Sequence, residues 1–132
     1  MHGHYKFYKK CKANNIKPVI GLEVKINSTL ENKNCVLLYA KNKIGYQNLL
    51  AISTQQEVNG IVEDSFIKEH SEGLICTTAC VSGMLPKLIL ENNEEAIESH
   101  IKELKEIFGA DLYFELQPGV FTEQGIVNNK LV

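Results

Sequence analysis

Apolar positions along the chain follow two spacings in turn, short β-like runs and longer stretches of helical periodicity. Residues 4–14 read as a helix with Tyr8 and Cys11 on one side, ending at Asn14-Asn15. Pro18 opens the extended run PVIGLEVKI, rich in Val and Ile. Alternation there puts Ile20, Leu22 and Val24 on one face, and Val19, Gly21, Glu23 and Lys25 on the other. Residues 27–34 are polar and turn-like, and CVLLYAKN then has the length of a strand buried on both faces. From Ile44 to about Val58, Tyr46, Leu49, Leu50 and Ile52 recur at helical spacing, and Gly60 is a suitable stop.

A short helix is expected over Asp64 to His70, capped by Asp64 or a neighbour. GLICTTA reads as a buried strand, and residues 83–90 as a helix that tolerates Pro86 in its first turn. The strongest pattern covers residues 94–108. Asn93 suits the N-cap, Glu94 and Glu95 suit the positive helix start, and Ile97, Ile101, Leu104 and Phe108 form one apolar face ended by Gly109. DLYFELQ follows as a strand, Pro118-Gly119 as a turn, and a further helix begins after Thr122.

Strands separated by helices predict an α/β fold with mostly parallel strands. The elements do not form a closed set, because the chain opens in a helix without a leading strand and stops inside another. They read as a section of a domain truncated at both ends, with no internal repeat or low-complexity linker.

Composition adds constraints. With 132 residues, 44% hydrophobic and 23% charged, the chain fits one globular domain or a large part of one. No run of eighteen apolar residues occurs, which excludes a transmembrane helix, and MHGHYKFYKKCK lacks the apolar core of a signal peptide. A soluble cytoplasmic protein without a membrane partner is the expectation. Residues 1–43 carry nine lysines against Glu23 and Glu31, whereas residues 57–115 carry thirteen acids against four lysines. The basic beginning could lie near phosphate, or the two regions could simply be solvated faces of differing sign. All fourteen basic residues are lysine, so no guanidinium fork is present to read base edges in a sequence-specific way.

Candidate chemistry is scattered. Glu23 interrupts an apolar strand, where a carboxylate must be paired, bound to metal or turned outward beside a lysine. Glu115 in DLYFELQ carries the same ambiguity. Cys80 follows the GLICTTA strand, at the strand end where α/β folds bind ligands, and its thiolate could hold zinc or stay inert in the core. Cys35 opens its strand and by topology alone belongs at the opposite end. Cys11 and Cys76 read as core thiols. The four cysteines have no CxxC spacing, and reduced thiols are expected over disulfides. His2 and His4 form an HxH, but on entry to a helix positions i and i+2 diverge, so a metal role is not expected. His70 and His100 fall at helix positions suited to packing or surface roles. Gly21, Gly45, Gly60 and Gly83 read as punctuation, and no catalytic residue set emerges.

Several ordered blocks resemble one family. MHGHYKFYKKCKANNIKPVIGLEVKI is similar to the stretch after the Asp-His-Gly motif in the PHP (polymerase and histidinol phosphatase) domain of bacterial DNA polymerase III alpha subunits. LLYAKNKIGYQNLLAIST, SEGLICTTACVSGMLPKLIL and EIFGADLYFELQ continue that resemblance in order across nearly the whole chain. It implies a partial, distorted β/α barrel over residues 1–132, whose ligands converge at one end of the strands. The Glu of the Gly-x-Glu motif falls on Glu23 and the family cysteine on Cys80. A family histidine falls on or next to Cys35, where a thiol could replace imidazole or mark a decayed site.

The resemblance also implies a metal site for zinc or manganese that is incomplete here. The family's N-terminal His-x-His, its Asp-His and its late Asp-x-His are missing, and His2 and His4 lie beyond the place of the first. The implied parent is a template-directed nucleotidyltransferase that uses magnesium and acts on DNA. The segment would be an inactive scaffold or proofreading support, able to dock a proofreading exonuclease subunit. A PHP phosphoesterase and a degenerate, non-catalytic interaction module are the alternative expectations.

Overall fold

The computed structural model describes residues 1–27, 34–79, 83–118 and 122–132. Helix α1 (His4–Ala13) leads into β1 (Gly21–Asn27), and β2 (Asn34–Ala40) is followed by α2 (Lys43–Asn59). A two-residue β3 (Val62–Glu63), α3 (Asp64–Glu69) and β4 (Leu74–Thr78) come next. They precede α4 (Met84–Leu90), α5 (Glu94–Phe108), a 3-10 turn, β5 (Leu112–Tyr113) and α6 (Thr122–Leu131). The expected turn over 27–34 lies mostly outside the described residues.

The strands form one sheet in the order β3-β1-β2-β4-β5. β1 pairs with β3 in parallel and β4 with β5 in parallel, while β2 runs antiparallel to both β1 and β4. Four strands therefore share one direction, as the strand–helix alternation predicts, and the central strand opposes them. That reversal follows from chain length. Only residues 28–33 separate β1 from β2, too few for the crossover of a dozen or more residues that a parallel partner needs.

Helices α2, α3 and α5 pack on one sheet face. Val24 and Ile26 of β1, Val36 and Leu38 of β2, and Leu74 and Cys76 of β4 are buried against Leu49 and Ile52 of α2, Ile67 of α3, and Leu104 and Phe108 of α5. The other face carries exposed Glu23 and Lys25 and half-buried Cys35, Leu37, Tyr39, Ile75 and Thr77. The expected burial of β2 on both faces is thus corrected to burial on one.

A second apolar cluster joins α4, α5 and α6. Met84, Leu85, Leu88 and Ile89 pack with Ile97 and Val127, and Pro86 sits buried in the first turn of α4 as expected. α5 bridges the two clusters. Its Asn93 side chain accepts from the Ala96 N–H, and Gly109 closes it at φ 53°. The buried stripe of α5 runs through Ile97, His100, Leu104 and Phe108, with Ile101 only half-buried.

Glycine does more than punctuate at one position. A Cβ on Gly45 would stand 1.9 Å from the Gly73 carbonyl oxygen, so the start of α2 rests directly on the turn before β4. Asn42 organises this contact, its side chain accepting from the Gly45 N–H at 2.9 Å. The Lys41 N–H donates to the Gly73 oxygen at 2.9 Å. Gly60, at φ 75°, ends α2 as expected. α3 has Glu63, the neighbour of Asp64, at its N-cap, without a side-chain capping bond.

Candidate functional site

Because β2 is reversed, its first residues lie at the C-terminal ends of β1 and β4. Register pairs Glu23 with Leu37 and Lys25 with Cys35, and it pairs Leu37 with Thr77. Glu23 and Cys35 are diagonal neighbours on the face turned away from the helices. The Cys35 thiol donates to Glu23 Oε1 at 3.3 Å. The expectation that Cys35 belongs at the opposite end is overturned by the antiparallel pairing.

Cys35 also shares a crevice with Thr78 and Ala79 at the end of β4, and with Met84 and His100. Cys80, the next residue after Ala79, lies outside the described residues. Among the described residues no group of three or more His, Cys, Asp or Glu side chains converges as a metal site would require.

The backbone around Glu23 is held from α2. Gln56 Oε1 accepts from the Lys25 N–H at 2.7 Å, and Gln56 Nε2 donates to the Glu23 carbonyl at 3.1 Å. One glutamine thereby serves the edge of β1 that short β3 leaves open. Gln56 carries no sequence signal for this role, which depends on where α2 crosses the sheet.

Glu115 has a different role from Glu23. Its carboxylate accepts from Thr77 Oγ1 at 3.1 Å and from the Gln117 side-chain amide, and its N–H donates to Thr78 Oγ1 at 3.0 Å. The Gln117 carbonyl accepts from Asn128 Nδ2 at 2.9 Å, which ties this segment to α6. Glu115 is thus a structural link between β4 and the chain after β5.

The histidines are spread over several environments. His4 places Nδ1 2.6 Å from the Met1 carbonyl and Nε2 2.7 Å from the Tyr46 hydroxyl, while His2 is exposed. The His70 ring stacks on Phe66, with Nδ1 2.9 Å from the Phe66 carbonyl. His100 is buried with Nδ1 4.0 Å from Glu103, and burial lowers its pKa. Cys11 and Cys76 are core thiols, as expected, and burial pushes the Cys76 thiol up to about 12. Asp64 is pushed up to about 6, chiefly by burial and further by the carboxylates of Glu103 and Glu63.

The PHP domain family model matches residues 1–119, and the chain belongs to that family. The mixed sheet and flanking helices accord with a partial PHP-type β/α fold.

Over its whole length the chain is 37% identical to the DNA polymerase III subunit alpha of Borreliella burgdorferi and 33% identical to that of Aquifex aeolicus. It is 33% identical over 86% of its length to that of Treponema pallidum. The chain spans only 13%, 13% and 11% of those three proteins respectively. Among the described residues no helix is long and apolar enough to cross a membrane.

Proposed function

We propose that residues 1–132 form part of the PHP domain of a replicative DNA polymerase III alpha subunit. In this reading the parent protein is a cytoplasmic, magnesium-dependent nucleotidyltransferase that copies DNA. The segment supplies a scaffold and one edge of a metal site for zinc or manganese, and it supports proofreading beside a separate exonuclease subunit.

The observation that carries the local reading is the Cys35–Glu23 hydrogen bond at the sheet end. It brings a thiol and a carboxylate, both donors that zinc accepts, to one place. Cys80 is the third proposed ligand. Glu23 and Cys35 alone are fewer donors than a zinc site takes, so the residues described do not make a complete centre and no reaction step is assigned to them. The isolated segment is accordingly inactive.

The complete gene provides the test. Its product should contain a polymerase region, extend a primer on a template, and carry zinc or manganese that falls on Glu23→Gln and on Cys35→Ser. A product without a polymerase region that hydrolyses a phosphate ester would replace this reading with a phosphoesterase.

A further inference from the structure

Gln56 takes the place of a strand residue beside β1. β3 reaches β1 only at Ile26 and Asn27, which it pairs in parallel through Val62 and Glu63. In a parallel ladder, one residue donates to the carbonyl before its partner and accepts from the N–H after it. Gln56 makes those two bonds around Val24 with its side chain alone. Its Nε2 donates to the Glu23 carbonyl at 3.1 Å, and its Oε1 accepts from the Lys25 N–H at 2.7 Å. Continuing the register back from Val62, opposite Ile26, would set residue 60 opposite Val24. Gly60 instead ends α2 at φ 75°, and its N–H donates to the Gln56 carbonyl at 2.7 Å. The amide of Gln56, about one helical turn earlier, fills the position that a longer β3 would have taken.

The consequence falls on Glu23. Because the Lys25 N–H turns away from β2, Val24 and Val36 form a hydrogen-bonded pair on the β2 side. The peptide groups on either side of Val24 are therefore held from both edges, as they are in the interior of a sheet. That fixes the pleat at Glu23, whose carboxylate accepts from the Cys35 thiol at 3.3 Å. A terminal amide suits this task because it carries a donor and an acceptor side by side.

We propose that Gln56 is a positioning residue for metal binding by Glu23 and Cys35, acting through the backbone of β1. The proposal rests on the reading of that pair as one edge of a zinc or manganese site, and names the residue that presets it. Ligands held in place beforehand lose less freedom on binding. Supports one step removed from a metal typically change its affinity by roughly 10–100-fold.

The product of the complete gene tests it. Zinc and manganese are titrated against a chromophoric chelator, and hydrogen exchange is followed in peptides spanning β1. Gln56→Met keeps the length of the side chain and removes both bonds. It should weaken binding of the ion that the parent holds by about tenfold. Amide exchange around Lys25 should quicken by about tenfold or more. Gln56→Ala removes the same bonds with the best helix former, and should match it should the methionine pack badly. Ile52→Val loosens the packing of the same helix against the sheet while retaining both bonds, and should bind metal like the parent. Circular dichroism confirms that each variant is folded. A parent that binds neither ion overturns the metal reading, and this inference with it. A parent that binds metal no more tightly than the two Gln56 variants overturns this inference alone, as does an Ile52→Val variant that loses as much as they do.

Discussion

The Cys35 thiol lies 3.3 Å from Glu23 Oε1 across the antiparallel pair β1–β2, on the sheet face opposite the one that packs on α2, α3 and α5. In a parallel sheet the two would sit near opposite ends. The short connection between these strands is therefore what assembles the candidate site, and the identity of each residue matters only once that turn has been made.

The contact between Gly45 and Gly73 makes the start of α2 intolerant of any side chain. Gly45→Ala must displace the backbone carbonyl of Gly73, which itself anchors the Lys41 N–H. The expected loss is about 1–3 kcal/mol, the usual cost of overpacking, read as a lower urea midpoint with unchanged slope. An unchanged midpoint would mean that the two segments are not packed as described.

Asp64 should make the fold more stable in mild acid. Its pKa is raised from 3.8 to about 6, by burial first and then by Glu103 and Glu63. The folded state thus favours its protonated form, a stabilisation fully present below the unfolded value and lost as pH rises through about 6. Asn27 donates to both oxygens of that Glu63 carboxylate, at 3.1 and 3.2 Å. His100 beside Glu103 works in the opposite direction, because its lowered pKa costs stability on acidification. The informative quantity is therefore the difference between the parent and Asp64→Asn. Urea unfolding at neutral pH should show the variant to be more stable, with the gap closing below about pH 4. A gap that widens in acid would contradict this account.

Thiol labelling should distinguish the cysteines by burial. Cys76 is fully buried with its thiol pushed up to about 12, Cys11 is buried, and Cys35 is half-buried. Brief treatment of the native chain with a maleimide should modify Cys35 and leave Cys11 and Cys76 unmodified until urea is added. Peptide mapping reads the result. Early modification of Cys76 would show that the β4 core is open.

Much of this fold is legible in the chain because its signals are local. Asn93 and Gly109 bound α5, Gly60 ends α2, and the period-two pattern of β1 sends Val24 inward and Glu23 outward. The direction of β2 is not local, since alternation identifies a strand without orienting it. The length of the 28–33 connection is the signal that orients it. DLYFELQ shows the opposite failure. Its strand-like composition yields only Leu112 and Tyr113 in the ladder, at the sheet edge, after which Thr77 and Thr78 side chains take over the bonding to Glu115. Gln56 and Gly45 are illegible as site supports because their partners lie 31 and 28 residues away in the chain.

The most direct test of the account concerns the register that brings Cys35 to Glu23. The Lys25 N–H is directed to Gln56, away from β2, so Lys25 and Cys35 form a non-hydrogen-bonded pair with close Cα atoms. That geometry suits a disulfide. Mild oxidation of Lys25→Cys should link positions 25 and 35, identified by mass spectrometry of the unreduced peptides, whereas Val19→Cys should not link to Cys35. A 19–35 link in place of the 25–35 link would contradict the antiparallel pairing, and with it the juxtaposition of Glu23 and Cys35.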